Sequence, residues 1–209
     1  MSFKPGDFYL GVVSFLGVLL PGAVFLFLLL FSYPADPRLR LQDWRVFAAA
    51  AYIVGHLFLA VAERLNSTAD RVTRLLGRHF YDALFNVEGD FASAHRASMG
   101  SEKSAGDAHD PQVRAFRFHT ALSYVRLRSA EAAAEVDHHM ADYKLLRSLV
   151  LVLLLNAIIA LRRPNDGWPA ATIEIVVSAF AYVCFVRMYN WARYLVFDYA
   201  IMLLKGKPA

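Results

Sequence analysis

A single cysteine, Cys184, stands in a chain of 209 residues, which excludes an intrachain disulfide framework, a cysteine-built zinc site and a thiol redox pair. Charge is scarce as well. Asp, Glu, Lys and Arg make up 19% of the chain, and a formal net charge of +4 is too small and too dispersed for a nucleic-acid-binding face. Catalytic signatures are missing: the sequence holds no His-Glu-x-x-His helix, no Gly-x-Ser-x-Gly elbow, no phosphate loop and no dinucleotide-binding glycine pattern. These absences weigh against an enzyme, and no cofactor is implied. No run of alternating apolar residues reads as a strand, and no internal repeat is visible.

Long apolar runs are what the chain does have. Hydrophobic residues make up 57% of it and aromatics 14%, with mean hydropathy +0.38. Residues 8–31 are 24 consecutive positions without Asp, Glu, Lys, Arg or His. About 20 apolar residues cross the hydrocarbon core as a helix, so this run can span a bilayer. It does not read as a cleaved signal: the apolar stretch is too long, Lys4 is offset by Asp7, and Ser32-Tyr33-Pro34 lacks a small-x-small site. Three further candidate spans follow at 46–62, 148–161 and 169–186, interrupted only by His56 in the second and Glu174 in the fourth. Trp44 marks an interface before the second. The third is short, but Leu145 and Leu146 extend it, and Arg147 can snorkel its charge to the interface. The expected fold is all-α: a polytopic membrane protein with a four-helix transmembrane bundle.

The domain organisation follows from those spans. Residues 1–63 form one transmembrane hairpin and 148–186 a second. Residues 64–147 form a helical cytosolic segment carrying a polar Gly- and Ser-rich loop, expected to be mobile, at about 98–110, and 187–209 form a helical cytosolic tail. Pro111 can open one helix of the segment and Ser129 can cap the next, which runs without a breaker into the third span. Of the 22 Lys and Arg, 17 fall in the first, third and fifth of the regions outside the spans and 5 in the other two. Positive residues stay on the cytoplasmic side, which places both termini and the central segment inside; without the long central segment the count is 5 against 5. The localisation expected is a bacterial inner (plasma) membrane.

Arg64, Arg71, Arg74 and Arg78 share one helical face, and Glu131, Glu135, His138 and Asp142 share an acidic face on another helix. The arginines can contact lipid headgroups, pair with the acidic face, or bind a small anionic ligand. Glu135-Val136-Asp137-His138 has the Glu-x-x-His spacing of dimetal bundles, but no second copy exists to complete such a site, so a satisfied surface histidine pair is the simpler reading and no metal is assigned. Inside the spans His56, Asn156 and Glu174 are polar candidates, since polar groups at that depth face protein or a watery path. Pro21-Gly22 predicts a kink near the centre of the first span.

Four spans, helical arms and no catalytic signature suit a small homo-oligomeric membrane module: a signal- or partner-gated effector or channel-like protein. The expected partners are the lipid bilayer, further copies of the chain, and a cytosolic protein or small anionic ligand at the arms, with no nucleic acid. A non-conducting adaptor or assembly subunit is one alternative, and a membrane enzyme acting on lipid or a small substrate is another.

Overall fold

A computed structural model describes residues 5–32, 43–76, 78–99, 111–162 and 167–206. The described residues form seven helices and no strand: α1 Pro5–Ser32, α2 Trp44–Ala62, α3 Leu65–Leu76, α4 Arg78–Met99, α5 Pro111–Arg128, α6 Ala130–Leu161 and α7 Gly167–Leu204. Ser98 and Met99 close α4, and the rest of the expected loop at 98–110 lies outside the described residues. Three helices, α2, α6 and α7, are long and apolar enough to cross a membrane, while α1 contributes a shorter apolar stretch, Gly17–Leu30, among the described residues.

Local chemistry sets the helix ends. Asp43 holds an extended backbone and its carboxylate accepts from the Arg45 amide at 2.8 Å, so one of α2's free N–H groups is satisfied. Ser129 serves two helices at once: its amide donates to the Val125 carbonyl at 2.9 Å, and its hydroxyl accepts from the Ala132 amide at 3.2 Å. Gly206 follows α7 with φ of 68°, the left-handed conformation that lets a helix stop.

The chain divides into two compact units, one of residues 1–69 and 141–187, the other of residues 70–140 and 188–209. In the first unit α1 and α2 pack backbone to backbone. A Cβ on Gly22 would lie 1.8 Å from the Ala51 carbonyl oxygen, and one on Gly55 would lie 1.9 Å from that of Val18. Only glycine allows this approach, and it gives Gly22 a packing role beside the kink its neighbour Pro21 predicts. The face of α2 turned to this contact is Ala51, Gly55, Phe58 and Ala62, with Phe25 set edge-on to Phe58 at 5.0 Å. In the same unit Ala157, Ala160 and Ala171 pack together, and the Ser178 hydroxyl donates to the Val150 carbonyl at 3.2 Å.

Arg147 departs from the snorkelling expected of it. Its residue is 2% exposed, and the guanidinium donates to Asn66 Oδ1 at 3.0 Å and to the Leu59 carbonyl at 3.4 Å. Leu59 carries one of the last four carbonyls of α2, which no later amide of that helix can reach. A planar cation with five donors therefore closes the end of α2, where the sequence had suggested a side chain stretching toward water.

Candidate functional site: a buried ion cluster in the second unit

Four helices supply charge to one buried place in the second unit. α3 presents Asp70 and Thr73, one turn apart and so on the same face. α4 presents Glu88, α5 Arg114, and α7 presents Tyr189, Asn190 and Arg193 within a little more than one turn. Glu88 is 1% exposed, Arg193 6% and Arg114 9%. Charges so deeply withdrawn from water persist only when each is paired.

The described charges pair in a chain from Asp70 through Arg193 and Glu88 to Arg114. Arg193 donates through Nη1 to Asp70 at 2.8 Å and lies 3.7 Å from Glu88 through Nη2. Arg114 donates from Nε to both Glu88 oxygens, at 3.2 and 3.4 Å. Among the described residues two guanidiniums thus face two carboxylates. The Arg193 guanidinium also lies over the Tyr189 ring at 5.5 Å, while Asn190 donates to the Thr73 hydroxyl at 2.7 Å. Burial pushes the Tyr189 phenol above its ordinary pKa. For Arg193 burial acts the other way, but Tyr189, Asp70 and Glu88 outweigh it and raise the guanidinium's hold on its proton. An aromatic floor adjoins the cluster along α7: Phe197 lies 5.7 Å from Phe91 and 6.2 Å from Phe118.

Such a cluster can clamp the four helices that supply it. Every carboxylate in it is engaged by a guanidinium. Among the described residues no group of three or more His, Cys, Asp or Glu side chains is placed to hold a metal ion.

Arg64 and Arg71 are exposed, and the side chains of Arg74 and Arg78 lie outside the described residues. Glu131 is exposed, and Glu135 accepts from the Tyr199 hydroxyl. That bond, with lesser help from burial and from neighbouring carboxylates, pushes the Tyr199 pKa up to about 12. Asp137, between Glu135 and His138, pairs with Arg126 at 2.5 Å on an exposed surface, where an ion pair adds little stability. The His138 ring lies 5.7 Å from that of His139, and Asp142 is half-buried.

In the first unit Asn156 is 2% exposed and donates to the Val152 carbonyl of its own helix at 3.0 Å, while Glu174 is half-buried. His56 is exposed on α2, its ring edge-on to Tyr52 at 4.6 Å. The cluster residues were missed because each resembles an ordinary surface charge. The usable signal was Arg193, a lone cation in the stretch Ala192 to Phe197, where every other side chain but Tyr194 is buried. No protein-family model, no curated protein and no solved structure matches this chain.

Proposed function

We propose that the chain is a self-associating, partner-gated membrane effector with channel-like output. In this reading α1, α2 and the apolar parts of α6 and α7 are its four spans. α1 is 28 residues long, about 42 Å at the helical rise, which exceeds a hydrocarbon core of about 30 Å. In the same reading both termini and residues 64–147 lie on the cytoplasmic side of a bacterial inner membrane, an orientation supported by the distribution of Lys and Arg.

One observation carries the gating. α7 is a single unbroken helix, and its N-terminal half is the apolar run at 169–186 while its C-terminal half holds Tyr189, Asn190 and Arg193 of the ion cluster. A cytosolic partner or small anion that competes for Arg193 or Arg114 would change the packing of a helix that is also a span. Buried charge networks favour discrete arrangements over gradual ones, which suits a switch.

Cells carrying the chain test this through a voltage-sensitive dye. Wild type at low expression is expected to leave the membrane potential intact, and Glu88→Gln, which unbalances the cluster, is expected to collapse it at equal protein level. Intact potential with both proteins would remove the conducting reading and leave the non-conducting adaptor.

A further inference from the structure

The outer face of α2 presents a problem that lipid does not solve. Opposite the residues that pack on α1, positions 46, 49, 53, 56, 60 and 63 are all exposed, and their spacing of three, four, three, four and three places them on one stripe. The stripe reads Val46, Ala49, Ile53, His56, Ala60, Glu63. Among the described residues no hydrogen bond is made by His56, which is exposed and meets only the Tyr52 ring edge-on. The centre of the run at 46–62 is residue 54, which puts His56 about 3 Å along the axis from mid-span. Acyl chains offer an imidazole neither donor nor acceptor. The outer face of α7 is a useful contrast: Ile173, Val176, Phe180 and Val183 are all well exposed, and lipid covers them without penalty.

We propose that this stripe of α2 is the seam on which a second copy of the chain packs, in parallel, with His56 against the partner subunit's His56. The inference rests on the reading of α2 as a span. Two copies inserted the same way are parallel, and a two-fold axis between them brings each seam position opposite itself. A neutral imidazole has one N–H donor and one bare nitrogen acceptor, so two of them satisfy each other across such an axis. Ala49, about two turns before His56, and Ala60, about one turn after it, allow the close approach that membrane helices use for association. At the end of the seam Glu63 and Arg64 are adjacent and both exposed, and the two-fold axis sets Glu63 of each copy beside Arg64 of the other. The charges at that end are therefore complementary in the parallel arrangement.

The test is disulfide cross-linking in native membranes, with Cys184→Ala as background and single cysteines introduced in turn at Ala49, Ile53, His56, Ala60, Val61 and Phe180. Dimers at 49, 53, 56 and 60, with little at 61 and 180, are expected. Without cysteines at the seam, His56→Leu should lower the dimer fraction about threefold to tenfold, the range for loss of an interhelical hydrogen bond in a membrane. Glu63→Arg or Arg64→Glu alone should lower it, and the two together should restore it. Absence of cross-links at the seam, or equal yield at Phe180, overturns the proposal while leaving the span assignment intact. Rapid modification of the cysteine at 53 by a water-soluble maleimide overturns the span itself, and the seam with it.

Discussion

Replacing Glu88 with Gln isolates the electrostatic clamp, because Gln keeps the shape and an acceptor oxygen but removes the charge that two guanidiniums share. Glu88 is 1% exposed and engages Arg114 at 3.2 Å and Arg193 at 3.7 Å. Removing one partner of a buried pair costs about 3–5 kcal/mol, since the other charge is left without compensation. Arg193 retains Asp70 and the Gln oxygen still accepts from Arg114, so the lower end, about 3 kcal/mol, is expected. For a chain of this length each kcal/mol moves the melting temperature by about 2–4 °C, which gives a fall of about 6–12 °C. The assay is far-UV circular dichroism of the detergent-purified protein against temperature. Glu131→Gln, at an exposed position, is the control and should stay within about 0.5 kcal/mol of wild type. Adding Arg114→Met to Glu88→Gln removes the stranded cation and should recover at least about 1 kcal/mol as a coupling energy. A Glu88→Gln melt indistinguishable from that of Glu131→Gln would refute the clamp.

Other expectations concern the rest of the molecule. Gly55→Ala forces a methyl to within 1.9 Å of a backbone carbonyl, so it should destabilise by about 1–3 kcal/mol or more, whereas Gly89→Ala, which meets nothing within 4 Å, should not; thermal melts compare them. Arg147→Met leaves the Leu59 carbonyl and Asn66 without a donor they now have, about 1–3 kcal/mol, and proteolysis near residue 63 should accelerate. Because the folded pKa of Tyr199 is raised to about 12, its hydrogen bond to Glu135 contributes fully below the ordinary tyrosine pKa of about 10 and is lost as pH rises toward 12. Ultraviolet titration should show that Tyr199→Phe deletes a phenol ionising near 12; deletion of one ionising near 10 would contradict the bond.

Apolar runs made the helices legible. The run at 169–186 and the breaker-free tail after it announce α7 as one helix, and Ser129 announces the junction of α5 and α6 through its short polar side chain. The pairing of charges was not legible, for a physical reason. Asp70, Glu88, Arg114 and Arg193 come from four helices across more than a hundred residues, and helical periodicity reports only which residues share a face. It therefore grouped Arg71 with Arg64, Arg74 and Arg78. In the structure Asp70 and Thr73 occupy the inward face of α3, and Arg71 is exposed. Glu135 accepts from Tyr199, a residue that no charge pattern could have selected. The polar residues of the spans also separated by burial: Asn156 is enclosed within the chain, while His56 is left outside.

The proposal of a gated membrane effector makes the ion cluster the element that keeps the chain from conducting, and potassium efflux from proteoliposomes tests it most directly. Wild type, Glu88→Gln and Leu84→Ala are reconstituted at equal density. Leu84, 1% exposed in α4, makes the last variant a destabilised control, losing about 2–5 kcal/mol of packing with every cluster residue retained. Tight vesicles for wild type and Leu84→Ala, with rapid efflux for Glu88→Gln, is the predicted result. Equal tightness of all three, with folded protein recovered from each, would contradict it.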